Sequence, residues 1–152
     1  MDSDMDRIVV GVDASPSSVR ALRFAVEEAR LRHATLEVIH VFGPPARMSA
    51  FPVPPERGND ATDLATDRKA ANERLGAWLR DTGIDLDGVD VEWTVIAEPR
   101  TASALVDRSK DADLLVVGSR GRGGFRGLLL GSTSEQVVRH AHAPVLVVRE
   151  GA

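Results

Sequence analysis

The chain has no cysteine and no tyrosine, only two lysines, Lys69 and Lys110, and 4% aromatics among 152 residues. Without cysteine there is neither a disulfide framework nor a thiolate zinc site, which fits a reducing compartment. The lysines follow Arg68 and Ser109, so neither stands in the Gly-Lys-Ser/Thr setting of a Walker phosphate loop. Two tryptophans far apart in sequence, Trp78 and Trp93, suit core or interface packing better than a base-stacking platform. No apolar run approaches the roughly 18–20 residues of a membrane span. Residues 1–6 are acidic where a secretion signal would be basic, and are expected to be disordered ahead of the domain. The expectation is a cytoplasmic protein without a membrane partner.

What the chain does have is strand alternating with helix. Ile8-Val9-Val10-Gly11-Val12 is a short continuous apolar run, as in a parallel strand covered on both faces, and it stops at Asp13. Ser15 is placed to cap a helix with Pro16 at its first position, and Val19, Leu22, Val26 and Ala29 recur at helical spacing to Arg32. Residues 36–41 give a second strand. Five prolines between Gly43 and Asn59 predict a mobile loop over 43–60, followed by a long amphipathic helix from Ala61 to about Gly83. Val89, Val91, Trp93 and Val95 alternate with polar residues, the period of a half-exposed edge strand. A short helix from Thr101, a fourth strand over 113–117, a last helix with capping-box spacing at Ser132 and Glu135, and a final strand over 145–148 complete the pattern. This is one α/β domain spanning 1–152: an open, five-stranded, mainly parallel sheet with four helices on both faces.

The candidate site is the segment between the fourth strand and the last helix. Gly118, Gly121, Gly123, Gly124, Gly127 and Gly131 let main-chain amides crowd around a small anion, and Arg120, Arg122 and Arg126 make a positive island on a chain of net charge −4. One compact patch does not track a polyanion, so nucleic acid is not expected as a partner. The dinucleotide fingerprint fails because Arg126 stands where glycine is required after Gly121 and Gly123, and no Gly-x-Ser-x-Gly marks a nucleophile elbow. In open sheets of this class ligands sit beyond the carboxyl ends of strands where the winding reverses. If strands one and four are neighbours there, Asp13 and the glycine loop line one crevice.

Gly118, Gly121, Gly131 and Ser132 form a Gly-x2-Gly-x9-Gly-Ser pattern, and with it the chain resembles the universal stress protein family. The resemblance extends to Val9-Val10-Gly11-Val12-Asp13-x-Ser15, to Asp111 through Gly118, and to His140-Ala141-x-Ala143-Pro144 with the strand after it. It implies a Rossmann-like fold of the adenine nucleotide alpha hydrolase type and, for members that keep this glycine spacing, ATP as ligand with Mg2+ or Mn2+. Carried over by position, it puts phosphates on the amides of Gly118, Gly121, Gly131 and Ser132, with Thr133 adjacent and Val117 lining the entrance. It puts Asp13 at the ribose or a phosphate-bound metal, and Val41 at the adenine. Ala97 departs from the pattern, since the family often has glycine there.

Plainer roles stand beside these. Ser132 can serve as a simple helix cap, Asp13 as a turn carboxylate, and the loop arginines as a solvated set. His140 and His142 have no carboxylate or thiol beside them and fit helix-end contacts better than metal ligation. No general base or activated nucleophile can be named. The expectation is a regulatory nucleotide-binding module. A slow ATPase or autophosphorylating enzyme using the same crevice, and a nucleotide-free interaction module, are the alternatives. Val145-Leu146-Val147-Val148 carries no charge within it, and an open edge of that kind invites pairing with its own copy. Universal stress proteins are similar in dimerising through the last strand, so a homodimer through 145–148 is expected.

Overall fold

The computed structural model describes residues 6–42, 61–119 and 130–149, the side chains of 61–67 excepted. The Pro-rich segment 43–60, Gly121, Arg120, Arg122 and Arg126 lie outside the described residues. Strands β1 (Arg7–Gly11), β2 (Thr35–Phe42), β3 (Asp90–Ala97), β4 (Leu114–Gly118) and β5 (Val145–Val148) alternate with helices α1 (Pro16–Arg32), α2 (Ala61–Asp81), α3 (Thr101–Ser109) and α4 (Ser132–His140). The sheet order is β3-β2-β1-β4-β5, and all four pairings are parallel. β1 and β4 are therefore neighbours, and the winding reverses between them.

Burial explains the sequence patterns. β1, β2 and β4 occupy the middle of the sheet and are apolar along nearly their whole length because both faces are covered. One face packs Ile8, Val10, Leu36, Val38, Phe42 and Val116 against α1 and α2. The other packs Val9, Ile39, Val41, Leu115 and Val117 against Ala104 and Leu105 of α3 and Val137 of α4. Here Gly11 matters, since a Cβ on it would lie 3.0 Å from Leu105 Cδ1. β3 is an edge, as its alternation predicts, and its Trp93 lies across Gly76 of α2 with 40% of the residue exposed.

The amino-terminal end of the sheet is closed by charge. Asp113 Oδ2 accepts from the amides of Asp6 and Arg7 at 2.9 and 3.0 Å, and the Asp6 carbonyl accepts from Thr35 N. Asp6 is thus tied to β2 and to the start of β4 rather than lying ahead of the domain. Glu37 is buried in β2 and takes Arg7 Nη2 at 2.5 Å. Its other oxygen lies 3.4 Å from Arg108 Nε, a charge contact too poorly aligned for a hydrogen bond. Burial disfavours the charge on Arg7, but Glu37 and then Glu92 outweigh it and hold the guanidinium above its ordinary value.

Candidate functional site

At the carboxyl-terminal end of the sheet, β1 runs out at Gly11 and Val12 keeps one further ladder bond, its amide donating to Ile39 O at 2.9 Å. The chain then turns through Asp13 and Ala14 into α1. Ala14 has φ 64°, a left-handed conformation that non-glycine residues adopt at a cost. The turn is held by its own side chains. Asp13 Oδ1 accepts from Ser15 N at 3.0 Å and from the Ser18 hydroxyl at 2.6 Å, while Ser18 Oγ accepts from Asp13 N at 2.8 Å. Ser15 caps α1 as its position predicts, accepting from Ser18 N at 3.2 Å, and Pro16 follows it. Asp13 is accordingly a structural turn carboxylate, just beyond the carboxyl end of β1 where the winding reverses.

The first turn of α1 carries this geometry across to β4. A Cβ on Gly118 would fall 2.2 Å from Ser17 Oγ and 3.0 Å from the Ser17 carbonyl oxygen. Gly118 is therefore glycine because α1 lies against it, a packing reason that its place in the glycine pattern did not reveal. Its carbonyl accepts from the Ser134 hydroxyl at 2.5 Å, which pins the start of α4 to the end of β4. Asp13, Ser18, Ser17, Gly118 and Ser134 form one connected wall, bringing together the two turns that the sequence pattern paired.

Two expectations at α4 need correction. The residue that caps α4 is Gly131, with extended φ −70° and ψ 166°, and no side chain caps the helix; Ser132 is its first helical residue. The capping-box reading of Ser132 fails because the Gly131 amide is drawn onto Ser119 O at 2.7 Å, so the chain enters the helix one residue earlier than Ser132-as-cap requires. The same bond removes Gly131 as an amide donor to a phosphate. What remains is the set of amides of Ser132, Thr133 and Ser134, which have no acceptor among the described residues. An anion at such a terminus gains about 0.3–1 kcal/mol from the helix dipole and up to ~2 where partly buried.

Val41 and Val117 are both buried, on the α3/α4 face of the sheet. A groove of about 560 Å³ runs between α3 and α4, lined by Arg100, Thr101, Ser103, Ser132, Thr133, Gln136 and His140 among others. Of the expected site residues that are described, Ser132 and Thr133 line it. His142 instead gives its amide to Ser109 Oγ at 2.8 Å. Among the described residues no three His, Cys, Asp or Glu side chains cluster as a metal site. The lone carboxylate of Asp13 fits a hard divalent ion held chiefly by phosphates and water rather than by a protein cage.

His40 was not singled out from sequence, yet it lies 2% exposed at the end of β2 with Nδ1 3.0 Å from Val12 O. Burial lowers its pKa from the ordinary 6.5, against the opposing pull of the Val12 bond and the Asp13 charge. The signal was available: a polar residue interrupts the run Val38-Ile39-His40-Val41 inside a buried strand.

The profile of the universal stress protein family matches residues 5–149. Universal stress protein Rv2623 of Mycobacterium tuberculosis is 37% identical over 146 residues, covering 94% of this chain and 45% of that protein. The chain thus spans about half the length of the curated relatives it matches. Among solved structures, a universal stress protein in complex with cAMP is 28% identical, with TM-score 0.59 and coverage of 96% of this chain and 98% of that one. UspA from Lactobacillus plantarum, at 21% identity and TM-score 0.72 over 97% of this chain and 100% of that one, shares the fold. With this sheet order and a family profile spanning almost every residue, the chain belongs to the universal stress protein family.

Proposed function

We propose that the chain is an adenine-nucleotide-binding regulatory module of the cytoplasmic stress response, with ATP as its ligand. The observation that carries the reading is the row of amides at Ser132, Thr133 and Ser134 without an acceptor among the described residues, joined through Gly118 and Ser17 to the turn of Asp13. Those amides take the phosphates. Gly118 brings the β4 backbone close, and Gly121 extends the cradle as the glycine spacing implies. Val41 and Val117 form the apolar side toward the base, and Asp13 faces the ribose or a Mg2+ or Mn2+ ion carried by the phosphates. The cAMP complex of a family member supports an adenine nucleotide as the ligand class.

The module works as a homodimer. β5 pairs with β4 alone among the described strands, and its four residues are each only half-buried, leaving an apolar edge that a second copy would cover. Light scattering at micromolar protein is expected to give twice the chain mass; a monodisperse monomer would overturn the dimer without touching the nucleotide site.

The nucleotide reading is tested by calorimetric titration and thermal melting with ATP and magnesium, then with AMP and cAMP. At a hundred times its dissociation constant a ligand adds about 2.7 kcal/mol of stability. No heat and no shift with any of the three would sink the reading.

A further inference from the structure

We propose that His40 is a positioning residue for the site, clamping the Val12–Asp13 peptide from beneath so that the Asp13 turn is set before a nucleotide arrives. The inference rests on the nucleotide reading of that turn, but its geometry is independent of any ligand. A carbonyl oxygen only accepts, so the 3.0 Å contact makes His40 Nδ1 the donor and Val12 O the acceptor. The contact is buried, with Val12 at 5% and His40 at 2% exposure, so water cannot take over if the donor is lost.

Position gives the bond its meaning. Val12, one residue past β1, is still attached to the sheet through its amide to Ile39 O, and His40 follows Ile39 directly. Adjacent residues of β2 thus hold both polar groups of Val12. Immediately beyond it Asp13 bonds Ser15 and Ser18, and Ala14 takes its left-handed φ of 64°. A turn that includes an unfavourable conformation stays in place only if its surroundings over-determine it. Ser15 and Ser18 fix it from the α1 side, and His40 fixes it from the sheet side. An apolar residue at position 40 would fill the space and leave the Val12 carbonyl buried without this donor.

The test compares His40→Phe with His40→Asn. Phenylalanine keeps the ring and loses the donor, whereas the asparagine amide nitrogen falls close to the place of Nδ1. ATP titration well below the melting temperature is expected to show about tenfold weaker binding for His40→Phe, the cost of one buried unsatisfied carbonyl. His40→Asn is expected to recover most of the loss even though both variants melt earlier. Equal affinity of wild type and His40→Phe would overturn the proposal and leave His40 a core residue, as would failure of folded His40→Asn to recover binding. Amide exchange without nucleotide supplies the second measurement: the Asp13 and Ser15 amides are expected to exchange at least tenfold faster in His40→Phe than in wild type. If wild type binds no adenine nucleotide, the function falls but the exchange result still decides the clamp, unchanged protection refuting it.

Discussion

The two ends of the sheet treat their polar groups in opposite ways. At the amino-terminal end, Asp113 takes the Asp6 and Arg7 amides, and Glu37 pairs with Arg7 and lies against Arg108 without a hydrogen bond, so the buried charge there is matched within the chain. At the carboxyl-terminal end α4 begins with three amides that have no acceptor among the described residues, and the chain leaving β1 turns through a left-handed alanine. One end is closed by the chain's own side chains, while the other is where the proposed nucleotide site lies. Stability and binding should therefore be separable by mutation, and the difference can be broken or sharpened at each end.

The largest effect is expected at the closed end. Glu37→Ala empties a buried site between two arginines, of which Arg7 keeps Glu92; because their side chains are 31% and 38% exposed, the cost falls below the usual 3–5 kcal/mol, at about 2–3. Urea unfolding should show this, with ATP affinity unchanged in the folded protein. A parallel loss of affinity would erase the distinction between the ends.

Gly118→Ala comes next and acts on both properties. Its Cβ meets the Ser17 backbone as well as the hydroxyl, so α1 and β4 must separate, at about 1–3 kcal/mol by thermal melting. ATP binding should weaken with it, since the Asp13 turn hangs on the same helix.

Ser132→Pro is the sharpest probe of the open end. Proline is favoured at the first helical position, and Gly131 already has the extended ψ that precedes proline, so stability should change by no more than about 0.5 kcal/mol. The substitution removes one amide, and ATP affinity should fall about tenfold. Unchanged affinity would move the phosphates away from α4.

The smallest effect concerns pH. Above 6.5 His40 is neutral in both folded and unfolded chains; as pH falls below that value the unfolded chain takes up a proton that the buried imidazole resists. Stability is lost until the folded imidazole itself titrates. Melting midpoints between about pH 7.5 and about pH 5 should therefore drop more for wild type than for His40→Asn.

Much of the fold was legible because burial writes itself into residue type. Ile8 through Val10 and Leu114 through Val117 read as central strands, and the Val91-Trp93-Val95 alternation reads as an edge. The polar residues inside strands carried less visible information. Glu37 and His40 look like interruptions of an apolar run, and only the structure shows the arginines around one and the carbonyl against the other. Ser132 misleads for a different reason: Ser-x-x-Glu spacing is local, whereas the bond from Gly131 to Ser119 that displaces the cap joins residues twelve apart in the chain. Gly118 was found as a member of a motif, though its contact with Ser17 comes from a helix that begins about a hundred residues earlier.

Ala14 has a consequence for motion. A methyl-bearing residue kept in the left-handed region stores about 1–2 kcal/mol, released whenever the segment between β1 and α1 lets go. Spontaneous opening of the domain should start at that hinge while the strands stay zipped, and occupancy of the crevice should slow it more than any other local fluctuation.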